Sequence, residues 1–183
     1  DRTNYYETLP SNYLELALWL ESDRMGFLLP ALTEEKLNNQ KDVVMNERRQ
    51  RYENQPYGLA WEILLSNLFS SNHPYSWPTI GWMEDIKNFQ LDDVINFFKT
   101  YYNPNNATLV IGGNFDFDNA IKLVEKYFGE IPSSNSIPSV NAPDEKLDDS
   151  KKVIHEDNVQ LPRIYFAWHS DKIFGYYDAS LDI

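Results

Sequence analysis

The chain has no cysteine. Disulfide staples, thiol nucleophiles and thiolate metal sites are therefore excluded. That absence is compatible with an oxidising compartment but does not require one. Positive charge is also scarce. Sixteen Lys and Arg stand against 28 Asp and Glu, for a net charge of −12. Non-specific nucleic-acid binding needs a basic surface, so no nucleic-acid partner is expected. No apolar run reaches membrane-spanning length, and the first residues do not have the pattern of a signal peptide. What is present is 42% hydrophobic and 15% aromatic residues in a chain of 183, enough for a packed core in one domain or one and a half.

Local pattern divides the chain into mixed elements. Residues 1–9 are rich in Thr and Tyr and read as a strand ending at Pro10. Asn12, with Glu15 three residues on, resembles a capping box, and Leu14, Ala17, Leu18, Glu21 and Met25 follow at helical spacing to about Phe27, before Pro30. A second helix starts at Thr33 with two acids in its first turn and fades near Asn54-Gln55-Pro56. A third covers about 59–69, ahead of the loop SSNHPYSWPTIG. A short helix at 91–102 carries Val94, Phe97, Phe98 and Tyr101 on one face. YNPNNATLVIGGN then reads as a turn feeding a buried strand, and 118–128 as an amphipathic helix closed by Gly129.

Residues 132–150, rich in Pro, Ser, Asn and Asp, read as a linker. KKVIHED and LPRIYFAWHS read as two more strands, and DASLDI as the first turn of a helix. The expected fold class is α/β or α+β in two layers: a mixed, largely antiparallel sheet packed with several helices. Residues 1–131 are expected to hold the C-terminal part of one half-domain and the start of a second subdomain, followed by the linker 132–150 and by 151–183, which would continue the same domain without completing it.

One helical residue stands out. Leu37, Gln40, Val44 and Glu47 follow at spacings of three, four and three, which places Glu47 on a stripe with apolar neighbours. A carboxylate buried there needs a cation, a metal or a proton. The plain alternative is a salt bridge, for which Arg24 is a candidate. The three histidines, His73, His155 and His169, read as ordinary loop or strand residues hydrogen-bonded to backbone, with His73 fixing a turn. Gly112-Gly113 lacks the context of a phosphate loop. The many Tyr and Trp fit core positions better than a sugar-binding row.

Four stretches taken together, in order over nearly the whole chain, are DRTNYYETLPSNYLELALWLESDRM, VVMNERRQRYENQPYG, HPYSWPTIGWMEDI and YYNPNNATLVIGGNFDFDNAIKLVEKYFGEIP. They resemble the pitrilysin/insulinase family of inverted zinc metallopeptidases. The resemblance implies a zinc-dependent endopeptidase in which two His and a Glu of an H-x-x-E-H motif, with a downstream Glu, build the site. The downstream ligand falls on Glu47, a good third ligand beside two imidazoles and a water.

A supporting acid seven residues earlier falls on Gln40, where the family usually has Glu. Thr3, Asn4 and Tyr5 fall on the strand beside the substrate cleft. This chain contains no H-x-x-E-H and so no catalytic residue of its own. Its start at Asp1, within a half-finished family strand, leads us to expect a fragment that is inactive alone, with Zn2+ bound only in the parent. The implied partners are a peptide or unfolded polypeptide substrate and a second homologous half or subunit, with no membrane span. The rival expectation is a non-catalytic partner half acting as a scaffold. Exported relatives imply a periplasmic or secreted location, with the cytoplasm as the alternative.

Overall fold

The computed structural model describes residues 2–134 and 136–183. Asp1, part of the first expected strand, and Asn135, in the expected linker, lie outside the described residues. Among the described residues seven α-helices follow in order: α1 Leu14–Ala31, α2 Glu34–Arg48, α3 Ala60–Leu68, α4 Met83–Asn88, α5 Leu91–Tyr101, α6 Phe117–Phe128 and α7 Asp178–Leu181. Short 3-10 turns occupy Ser11–Tyr13, Pro74–Ser76 and Pro104–Asn106, and a π-turn runs through Arg49–Glu53.

The expected α/β sheet is absent: among the described residues there is no strand. The segments read as strands, at residues 2–9, 107–113, 151–157 and 161–170, are irregular. None of their described backbone hydrogen bonds joins one to another. Nor are they held against a core, since Val110, Ile154, Ile164 and Phe166 are 83, 79, 79 and 82% exposed. A strand exists only through a partner backbone that completes its ladder. Alternating β-prone side chains mark which face is apolar, but they cannot supply that partner. Three of these segments attach through side-chain hydrogen bonds instead, at Tyr5, at Asp157, and at Leu161 and His169.

The helices lie close to where local signals put them, with instructive differences. α1 continues through Pro30 rather than stopping before it. A proline in the final turn disturbs little beyond the helix end. Beyond it, Thr33 Oγ1 accepts the Lys36 N–H at 3.2 Å and starts α2. The capping box expected at Asn12 does not form. A reciprocal box forms at the start of α5 instead, where Gln90 and Asp93 cap each other's amides and the Gln90 N–H reaches Asp93 Oδ2 at 2.8 Å. Helix α4, in WMEDIKN, had no counterpart in the pattern reading. It is six residues long and buries Ile86.

The chain divides into two compact units. The first comprises residues 1–38 and 89–139. In it α1 packs along α6, burying Leu18 and Ser22 on one helix and Ala120 on the other. Asp116 caps α6 by accepting the Asn119 N–H at 2.8 Å. At the outer rim, Glu15 accepts from Lys126 Nζ at 2.8 Å and from the Tyr127 hydroxyl at 2.7 Å. Phe98 of α5 is buried and stacks on Tyr102.

The second unit comprises residues 39–88 and 140–183. It contains most of α2, the π-turn, α3 and α4. The lengths of chain after residue 140 fasten to it through Tyr57, Ser70 and His169.

Candidate functional site

The candidate ligand Glu47 sits in the last turn of α2, half exposed. Its carboxylate pairs with Arg51 at 3.0 Å, one turn on. The suggested partner Arg24 instead pairs with Glu21 and lies over the ring of Tyr5. Gln40 is exposed on the same helix. Thr3, Asn4 and Tyr5 are exposed in the irregular first segment, where the Tyr5 hydroxyl lies 2.8 Å from that of Tyr102. Burial pushes the Tyr102 phenol above its ordinary range, reinforced by that hydroxyl contact. These three residues belong to the first unit and Glu47 to the second.

The inward residue of α2 is Arg48, the neighbour of Glu47. At about 100° per residue, Arg48 lies eleven positions after Leu37 and about 20° from its line, whereas Glu47 lies about 80° away. Leu37 and Arg48 are accordingly both buried, at 8 and 5% exposure. The Arg48 guanidinium donates to both oxygens of Glu62 on α3, at 3.1 and 2.8 Å, and to the Gly81 carbonyl at 3.0 Å. Its Nε lies 3.2 Å from Glu53, an ion-pair distance without hydrogen-bond alignment.

Both bonds to Glu62 come from Nη2, while Nη1 serves the Gly81 carbonyl and Nε faces Glu53. A planar guanidinium can face three partners in different directions at once, which is why arginine and not lysine suits this place. The π-turn brings Glu53 back to it: the Asn54 N–H bonds five residues back, to the Arg49 carbonyl, at 2.8 Å. Arg48 was missed because the stripe was drawn in steps of three and four, which led to its neighbour Glu47. The available signal was its spacing of eleven from Leu37.

Beyond the π-turn, Tyr57 holds a left-handed backbone with φ 62°. Three contacts hold it there. Its N–H donates to Asp157 Oδ2 at 2.9 Å, its hydroxyl donates to the Leu161 carbonyl at 2.7 Å, and the Arg163 guanidinium lies 3.7 Å from the ring centroid. Gly58 follows because a Cβ there would overlap the Tyr52 carbonyl.

His73 is buried, and its Nδ1 accepts the Tyr75 N–H at 3.0 Å, so it caps the Pro74–Ser76 turn. His155 is exposed. Among the described residues no group of three or more His, Cys, Asp or Glu could hold a metal ion. A tetrahedral zinc site needs three protein ligands. The described residues therefore do not fit a complete zinc centre. Nor, among the described residues, is any helix long and apolar enough to cross a membrane.

Comparison with known proteins gives a consistent picture. A family model described as "Peptidase M16 inactive domain" matches residues 88–182. The zinc protease PqqE of Helicobacter pylori is 31% identical over 182 residues, covering 94% of this chain and 40% of that protein. An uncharacterized zinc protease of Bacillus subtilis, YmxG, is 29% identical over 153 residues, covering 82% of this chain and 36% of its own length. The mitochondrial-processing peptidase subunit beta of Caenorhabditis elegans is 25% identical over 171 residues, covering 91% and 35%. The crystal structure of a protease from Helicobacter pylori superposes with a TM-score of 0.63 at 31% identity, over 74% of this chain and 32% of that one. The chain thus spans about two fifths or less of the length of these relatives.

Proposed function

The chain belongs to the M16 peptidase family, the pitrilysin-type peptidases, and from that premise we propose that it works as part of a zinc-dependent endopeptidase, to whose metal site it contributes the Glu47 carboxylate. One observation carries this reading. The buried Arg48, fixed by Glu62, Glu53 and the Gly81 carbonyl, sets the rotation of the last turn of α2 and leaves the adjacent Glu47 half exposed and paired with the solvent-facing Arg51. A carboxylate held on a rigid turn, with an exchangeable partner, can be handed to a cation at little cost.

Zinc in such a peptidase polarises a peptide carbonyl and activates water. This chain supplies neither a general base for that step nor the remaining ligands, so hydrolysis by the chain alone is not expected. Gln40 would support the ligand helix as a neutral hydrogen-bonding group. Thr3, Asn4 and Tyr5, exposed in the first segment, would meet the peptide substrate through its backbone. Export to the periplasm is part of this proposal and rests on the resemblance alone.

The test is Glu47→Gln in the peptidase that carries this chain, read by zinc content, peptide cleavage and thermal stability. Loss of zinc and of cleavage with an unchanged melting temperature is expected. Normal zinc with normal turnover would remove Glu47 from the site. A second reading, a non-catalytic partner half, is favoured by the description of the matching domain as inactive and by the likeness to a peptidase subunit. It predicts that the variant leaves both zinc and cleavage intact.

A further inference from the structure

The ring of His169 faces two backbone carbonyls. Its Nδ1 lies 2.9 Å from the oxygen of Glu145 and its Nε2 lies 2.8 Å from the oxygen of Leu68. A carbonyl oxygen can only accept. A neutral imidazole has one N–H and one lone pair, so it can serve one of these oxygens while turning its lone pair on the other. Only the imidazolium, with both nitrogens donating, satisfies both. We propose that His169 is a proton-controlled latch, which fastens the segments around Glu145 and His169 to the end of α3 and releases them when the ring loses a proton.

The surroundings suit a cation. Leu68 is the last residue of α3, and its carbonyl is among those a helix leaves without an internal donor. The negative end of the helix favours positive charge there. The ring also stacks on Phe69, at 4.9 Å between centroids and 19° between planes, as His73 does at 4.4 Å and 27°.

The charged and titratable groups around it come from every packed segment. From the Pro74–Ser76 turn come His73, whose Nδ1 is an acceptor, and the Tyr75 phenol, edge-on to Phe69. From the segment after residue 140 come the Glu145 carboxylate and Lys151, whose ammonium donates to the Asn67 carbonyl at 3.0 Å. Glu145 is held below the usual carboxylate range, first by the Ser70 hydroxyl and amide, with smaller contributions from His73 and His169. It stays ionised throughout the interval in which histidine titrates.

The direction of the response follows from proton counting. The fastened form binds one more proton than the released form, so lowering pH favours it and raising pH through the histidine range dissolves it. The segment from Glu145 to His169 contains the contacts at Asp157 and Leu161 that hold Tyr57, so release would loosen the clamp behind the π-turn as well.

Limited proteolysis of the chain tests this, with each protease calibrated at each pH on an unstructured peptide. Cleavage between residues 145 and 169 should be about tenfold slower at pH 5.5 than at pH 8.5, the effect of one hydrogen bond to a charged group on the open population. His169→Gln, which has one donor nitrogen, should be cut at the fast rate at both pH values. His73→Asn keeps the capping acceptor, removes the other nearby histidine and should keep the response. A nitrogen-15 spectrum of the wild-type imidazoles, which depends on no variant, should show His169 with both nitrogens protonated at pH 5.5. Equal cleavage at the two pH values, a response that survives His169→Gln, or a His169 ring carrying one proton at pH 5.5 would each overturn the proposal.

Discussion

Two neighbouring residues of α2 make opposite predictions. Arg48 is 5% exposed and is the only cation placed on Glu62 by the described ion pairs. Arg48→Ala would strand a largely buried carboxylate, and it should cost about 3–5 kcal/mol, seen as a large drop in the urea or thermal midpoint. Arg48→Lys should recover only part of that loss, because a single ammonium cannot reach Glu62, the Gly81 carbonyl and Glu53 from three separate nitrogens. Glu47→Gln should cost about 0.5 kcal/mol or less, since its partner Arg51 is exposed and one turn away. Equal losses at the two positions would contradict the division of labour drawn here. The sequence pattern drew the stripe through Leu37, Gln40, Val44 and Glu47, of which Leu37 is buried and Gln40 is exposed. It put the wrong member of the Glu47–Arg48 pair inside, because a stripe chosen by threes and fours drifts, while a spacing of eleven nearly closes on itself.

At the level of elements, the π-turn and the α1–α6 pair offer separate tests. Gly58 closes the turn after Glu53 at a point where any Cβ would meet the Tyr52 carbonyl. Gly58→Ala should destabilise the second unit by about 2–3 kcal/mol, visible as faster amide exchange through residues 49–58. Gly129, read from sequence as the cap that closes α6, stands at that cap with a right-handed backbone, φ −62°. The glycine is required there because a Cβ would sit 2.5 Å from the Glu125 carbonyl, a packing reason that sequence does not display.

The α1–α6 rim should respond to acid. Glu15 is held below its ordinary range, first by its bond to Lys126 and then by Tyr127, while Lys126 is pushed up to about 12. A depressed carboxylate contributes above its unfolded titration and loses that contribution as pH falls through the folded one. The stability of the first unit should therefore fall on acidification below about pH 4.5, by a small amount because the pair is exposed. Glu15→Gln should flatten that acid limb. The raised Lys126 gives the opposite branch: its contribution is intact at neutral pH and is lost only in strong alkali. Melting curves of both proteins from pH 3 to 7 check the acid response.

At the scale of the whole molecule, the described residues fold as helices and irregular segments in two units with a thin core. Far-UV circular dichroism should fit helix and irregular structure without a sheet, and a spectrum that requires a substantial β component would contradict the architecture. Calorimetric titration with zinc should show no tight stoichiometric site, since one carboxylate cannot complete a tetrahedron. A tight one-to-one site would mean that ligands come together in a way the described residues do not show.

The sequence by itself determined what is local. Helix periodicity, the acids that open α2, and the apolar faces of α5 and α6 each depend on residues within a few turns of one another. The ordered set of family words was legible for the same reason, because it is a property of the string. Tertiary structure decided everything that needs a distant partner. The segments read as strands required ladders, and no described backbone completes them. Glu47 or Arg48 could face inward until Glu62 and Gly81 fixed the rotation of α2. Asp157, Leu161 and Arg163 met Tyr57 across about a hundred residues, and His169 met Leu68 across a similar span, as no periodicity could show. Periodicity reports the geometry of one element, whereas a buried charge, a ladder or a doubly bonded imidazole is defined by what another part of the chain brings to it.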